Sequence, residues 1–138
     1  MNGEAIFWPM LVQMGLTFAI YGLMSMRRMG SIRDGKAKAA DFRIPTVEPE
    51  PSATVARNLI NQFELPVLFY AACLVLFVLG AAGQFAVTLA WLFALVRIGH
   101  AYVHVTTNRL RYRRPLFVAS FFLAFALCGL IAARLIAA

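Results

Sequence analysis

Charge is scarce in this chain of 138 residues: only 14% of its residues are charged, and just six of those are Asp or Glu against 13 Lys and Arg. Soluble domains carry about 25% charged residues and about 45–50% apolar ones, whereas here the apolar share is 62%. A water-soluble chain this small could not enclose so much apolar surface in one core. The shortage of charge therefore excludes a soluble globular domain and makes lipid the natural solvent.

Other shortages narrow the reading further. There are two cysteines, Cys73 and Cys128, both inside apolar runs, which excludes a disulfide framework and marks them as small packing residues. There are two histidines, no internal repeat and no low-complexity tract. The first apolar stretch follows Glu4 and has neither a basic leading region nor a small-residue cleavage site, so it reads as a retained helix rather than a signal peptide. The excess of 13 basic residues does not form one exposed face. Seven lie between Arg27 and Arg57 and four between Arg109 and Arg114, in each case between apolar segments. That distribution excludes a nucleic-acid-binding surface and is the pattern of topogenic charge.

What is present is four apolar segments of the length a bilayer needs, about 20 residues each. They are expected at Ile6–Met26, Leu59–Ala82, Phe85–Thr107 and Leu116–Ile136. Gly80 and Gly83 divide the middle pair into a tight hairpin rather than one long helix. Pro115 suits the start of the last helix. Residues 27–57 carry Gly30, Gly35, Pro45, Pro49, Pro51 and mixed charge, and read as a polar connector long enough to have a function. The fold class is an all-α, up-down, four-helix membrane bundle in a single domain. Loops one and three are basic and loop two is uncharged, which places the basic loops in the cytoplasm and both termini outside.

Polar side chains within apolar segments need a reason, because a charge at the centre of a span costs about 2.5–3.5 kcal/mol on insertion scales. Arg57, Asn61 and Glu64 lie at i, i+4 and i+7, on one helical face. Pro66 follows and cannot bond the carbonyl of Gln62, so the helix should open beside the carboxylate. Arg97, His100, His104, Asn108 and Arg111 are separated by 3, 4, 4 and 3 residues, a polar stripe from mid-membrane to the basic turn. One reading is structural, with Glu64 paired to Arg97 and Asn61 bonded across helices. A second makes His100 and His104 metal ligands with Glu64. A third is an anion pocket in which Arg57, Arg97, Arg111, Arg113 and Arg114 converge on one membrane face, Arg being suited to bidentate contact with carboxylates.

The series Arg57-(x3)-Asn61-(x2)-Glu64-x-Pro66, followed by Arg97-(x2)-His100-(x3)-His104-(x3)-Asn108, resembles the MAPEG family, the membrane-associated proteins in eicosanoid and glutathione metabolism. Length, helix count and the long first loop are similar too, and the Asn61–Pro66 segment looks like a bacterial branch. The resemblance implies a homotrimer in the lipid bilayer, in a bacterial inner membrane, that binds glutathione as co-substrate near the cytoplasmic side. By the same resemblance Arg57, Asn61 and Glu64 match the glutathione-contacting face of the second helix, with Arg97 and Asn108 on the polar stripe beside them. His100 and His104 match contact positions on the third helix, and His104 stands where the family usually has Tyr. The thiol-activating Arg falls on Arg113, Arg111 or Arg114. The implied activity is a glutathione transferase or glutathione-dependent peroxidase acting on a hydrophobic electrophile, with no metal and no nucleic-acid partner. A non-catalytic ligand-binding or scaffold protein of the same fold is the alternative. A small transporter would need paired broken helices or repeats, which the sequence lacks.

Overall fold

A computed structural model describes residues 3–44 and 48–137. These residues form five α-helices, α1 (Phe7–Arg33), α2 (Glu50–Gln62), α3 (Leu65–Val78), α4 (Gln84–Val105) and α5 (Leu110–Ile136), with short 3-10 turns at Gly3–Ile6 and Ala39–Arg43. Among the described residues, four segments are long and apolar enough to cross a membrane: Gly3–Arg33, Glu50–Val78, Gln84–Val105 and Leu110–Ile136. The shortest has 22 residues, roughly 33 Å of helix at about 1.5 Å per residue. That exceeds a hydrocarbon core of about 30 Å.

The bundle buries polar side chains beside an apolar core and leaves much of its apolar surface outside. Trp8, Phe18, Val78, Phe122, Phe125 and Ile136 are exposed, while Gln13, Asn58, Gln62, Arg97, His100 and His104 are buried. Apolar side chains face outward because lipid accepts them, and polar ones turn inward because lipid does not. Helix α4 is the hub and packs on α1, α2, α3 and α5. Its buried positions include Ala86, Ala90, Ala94 and Ala101, and small residues at helical spacing let backbones approach closely. Phe69 of α3 stacks on Phe93 of α4 with ring centroids 4.2 Å apart.

The tight hairpin expected at Gly80 is present. Gly80 adopts φ 63°, Ala81 N donates to Leu76 O at 2.8 Å, and Gly80 N donates to Phe77 O at 3.0 Å. This left-handed C-terminal stop is one that glycine enters without strain.

Three of the four expected helices have different boundaries. The first helix runs seven residues past Met26 to Arg33, where Gly35 (φ 70°) ends it by the same device, with Lys36 N donating to Ser31 O. The second span begins at Glu50 rather than Leu59, is broken at Phe63–Glu64, and ends at Val78. The connector expected over residues 27–57 is therefore largely helical at both ends. The last helix begins at Leu110, so Pro115 lies inside it instead of at its start. Its ring removes only the donor that would face the Arg111 carbonyl, close to the helix beginning.

What remains of the connector is tied down by two successive arginines. Arg28 holds the Glu48 carboxylate through Nε (2.7 Å) and Nη2 (3.0 Å), a bidentate pair, and also lies over the Phe42 ring. Arg27 donates to the carbonyls of Pro51 and Val105. The first loop is thereby joined to α1, α2 and the end of α4.

Candidate functional site

The break between α2 and α3 builds the site. Pro66 has no N–H for the Gln62 carbonyl, and the chain turns at Glu64 (φ −96°, ψ −100°) before resuming as α3. Carbonyls at the end of α2 are thereby left without helical partners. Arg97 Nη2, from the middle of α4, donates to one of them, Asn61 O, at 2.9 Å. This replaces the Glu64–Arg97 pairing that the sequence allowed. Among the described residues, the ion pairs are Arg28–Glu48 and Arg33–Asp34. Arg97 is fully buried, and its Nε and Nη1 meet no acceptor among the described residues.

Beside this break lies a cavity of about 430 Å³ lined by Glu48, Ala53, Ala56, Arg57, Ile60, Asn61, Glu64, His104 and Arg113. A second lobe of about 400 Å³ shares Asn61, Glu64 and Arg113 with the first and adds His100, Leu110, Arg114 and Phe117. The first lobe is lined by two arginines and two glutamates. The second combines cations with an apolar wall. The volumes fall in the range of about 300–1,000 Å³ typical of small-molecule sites.

The residues singled out in the sequence are distributed unevenly over this site. Arg57, Asn61, Glu64, His100, His104 and Arg113 line it. Arg97 is packed against its floor through the Asn61 carbonyl rather than lining it. The three candidate arginines of the basic turn are separated by the structure. Arg113 is half-buried and lines both lobes, Arg114 is exposed and lines the second only, and Arg111 is exposed and lies over the Tyr112 ring. The continuous stripe is also shortened: α4 ends at Val105, so Asn108 and Arg111 leave its face. Asn108 instead takes a left-handed conformation in the turn (φ 49°), and its Oδ1 accepts a hydrogen bond from Arg113 Nη1 at 2.6 Å.

Three contributors were not identified from the sequence. Glu48 reaches the cavity from the first loop, held by Arg28. The Arg28 guanidinium bonded to it keeps its carboxyl below the ordinary value of 4.5. Asn58 Nδ2 lies 3.1 Å from His104 Nδ1, and Gln62 connects Asn58 to Gln13 of α1. Asn58 and Gln62 share a face at i, i+4, a signal that was legible beside Arg57 and Asn61. Glu48 left none, because its position depends on a contact with a residue 20 positions earlier. No group of three or more His, Cys, Asp and Glu suited to a metal ion occurs among the described residues.

Four spans, an apolar outer surface over buried polar side chains, and a charged pocket define a multi-pass helical membrane protein with an internal polar site. The chain belongs to the MAPEG family, which it matches over residues 6–133, nearly its whole length. It is thus a membrane member of a family of glutathione and eicosanoid metabolism. No curated protein matches it, and no solved structure matches it.

Proposed function

We propose that the protein is a glutathione transferase or glutathione-dependent peroxidase acting on lipophilic electrophiles. The observation that carries this reading is the charge content of the first lobe, which Arg57 and Arg113 line together with Glu48 and Glu64. Glutathione has two carboxylates, one ammonium group and a thiol. The arginines suit the carboxylates or the thiolate, and the acidic residues suit the ammonium. Family membership supports the same choice of ligand.

Arg113 is the best placed candidate for thiol activation, since it lines both lobes and is oriented by Asn108. A free thiol has a pKa of about 8.5, so only a few per cent is ionised at neutral pH. A guanidinium near the sulfur favours the thiolate, and each pKa unit so gained corresponds to about 1.4 kcal/mol. In conjugation the sulfur lone pair forms the new C–S bond as the carbon's leaving group departs with its electrons. In peroxide reduction two thiols supply two electrons, giving a disulfide, an alcohol and water. The lobe bordered by Leu110 and Phe117 suits the apolar reactant, which can arrive through the bilayer.

The same reading includes a homotrimer, by family resemblance, with the pocket on the cytoplasmic face of a bacterial inner membrane. The orientation rests on the basic loops. The test is purified protein in nanodiscs, titrated with glutathione by calorimetry and assayed with an aryl halide and a lipid hydroperoxide. Saturable binding with turnover of either electrophile is the expected result. Binding without turnover would favour the non-catalytic reading, and absence of binding would overturn the proposal.

A further inference from the structure

A directional chain of hydrogen bonds runs from α1 to the pocket wall. Gln13 Nε2 donates to Gln62 Oε1 at 2.8 Å, and Gln62 Nε2 donates to Asn58 Oδ1 at 2.9 Å. Asn58 Nδ2 then lies 3.1 Å from His104 Nδ1. All four side chains are at least 98% buried, so water does not compete for these groups.

The direction of the chain follows from its backbone contact. Gln62 Nε2 also lies 3.4 Å from the Asn58 main-chain carbonyl, which can only accept. Turning the Gln62 amide over would set its oxygen against that carbonyl, two acceptors facing each other in a buried site, an arrangement left without compensation. With Gln62 donating, Asn58 Oδ1 is an acceptor, and its Nδ2 must be what meets His104. Asn61 Nδ2 lies 3.5 Å from the same ring nitrogen. Nδ1 therefore accepts, and the proton of a neutral imidazole must sit on Nε2. No polar group among the described residues hydrogen-bonds Nε2, and the ring lines the cavity.

We propose that Asn58 is a positioning residue that fixes His104 as a neutral ring with its proton on Nε2. The pocket wall then offers a hydrogen-bond donor selective for an acceptor group of the ligand, a carboxylate, carbonyl or thiolate. The assignment of that ligand group to glutathione rests on the function proposed above, whereas the position of the proton does not.

The experiment is 15N NMR of the full chain, labelled at histidine, in lipid nanodiscs without ligand. The chain has only two histidines, and His100→Gln identifies the His104 resonances. The expected spectrum has an N–H at Nε2 and a bare nitrogen at Nδ1. Asn58→Asp, recorded at a pH where its carboxylate is ionised, replaces the donor by a group that only accepts, and is expected to bring a proton onto Nδ1; this variant assigns the ring independently if His100→Gln does not fold. A wild-type ring protonated at Nδ1, or at both nitrogens, overturns the proposal, as does an Asn58→Asp spectrum identical to wild type. Glutathione titrated into the same wild-type sample tests the ligand assignment separately, and a failure to bind overturns that part alone.

Discussion

Asn108, a turn residue held at φ 49°, accepts through its Oδ1 a hydrogen bond of 2.6 Å from Arg113 Nη1. The same residue thus ends the approach from α4 and aims the arginine that borders both lobes of the pocket. Asn tolerates the left-handed region better than most residues, so one side chain serves the turn and the site together. Arg111 and Arg114, on either side of Arg113, have no such anchor among the described residues.

Single replacement of the three arginines by Gln is expected to separate them. Arg113→Gln should abolish conjugation, Arg114→Gln should lower it by about tenfold or less, and Arg111→Gln should leave it near wild type. Asn108→Gly keeps the backbone freedom while removing the bond, and should reduce turnover by roughly ten- to a hundredfold, the range of one charge-assisted hydrogen bond of about 1.5–3 kcal/mol. Steady-state rates with a lipophilic electrophile check the series. Equal losses at all three arginines would remove the special position of Arg113.

Acid should loosen the first loop. The Glu48 carboxyl is held below its ordinary value of 4.5 by the Arg28 bond. A carboxylate with a depressed pKa contributes stability that is complete above its unfolded value and is lost as pH falls through the folded one. The protection of residues 34–44 against hydrogen exchange, corrected for the intrinsic pH dependence of exchange, is therefore expected to be constant above the ordinary carboxyl value of 4.5 and to fall at more acid pH. Glu48→Gln should show fast exchange at every pH, and a variant that kept the wild-type profile would exclude the ion pair as the cause.

Restoring the missing donor at position 66 should damage the site without unfolding the bundle. Pro66→Ala returns an N–H for the Gln62 carbonyl and favours one continuous helix through Phe63 and Glu64. Such straightening would shift Glu64 and the Asn61 carbonyl that Arg97 holds. Circular dichroism should show equal or slightly greater helicity, while calorimetry shows glutathione affinity reduced by roughly tenfold, an effect of about 1.4 kcal/mol. Unchanged affinity would mean that the break does not shape the pocket.

Two glycines of the central hairpin should respond differently to alanine. A Cβ at either Gly80 or Gly83 meets nothing within 4 Å, but Gly80 has φ 63° and Gly83 has φ −75°. Gly80→Ala is expected to destabilise by about 1 kcal/mol or more through backbone strain alone. Gly83→Ala should be neutral or slightly stabilising. Thermal unfolding in detergent compares the two, and equal effects would contradict the strain account.

The membrane class of the chain was legible because it depends on composition and run length, which do not require tertiary contacts. The same holds for the helix break beside Glu64, where Pro66 lacks a donor wherever the helix is placed. Helix ends are less legible in the sequence. The polar residues after Met26 and before Leu59 look like loop by hydropathy, yet both stretches are helical out to Arg33 and back to Glu50. They are supported there by Arg27 and Arg28, whose partners lie between 20 and 78 positions away.

The sequence by itself determined four spans, two basic loops at one end, and the faces on which Arg57, Asn61, Arg97, His100 and His104 lie, whereas Glu64 falls at the break after α2. Each of these follows from local quantities: apolar run length, charge between runs, and a helical period of 3.6 residues. Tertiary structure decided that Arg113 rather than Arg111 borders the pocket, that Arg97 bonds a carbonyl instead of Glu64, and that Glu48 joins the site. It also decided that Gln13 and Gln62, 49 positions apart, meet in the buried chain that ends at His104. Spacing along one helix fixes which residues share a face, but the packing of that helix against its neighbours fixes what the face meets.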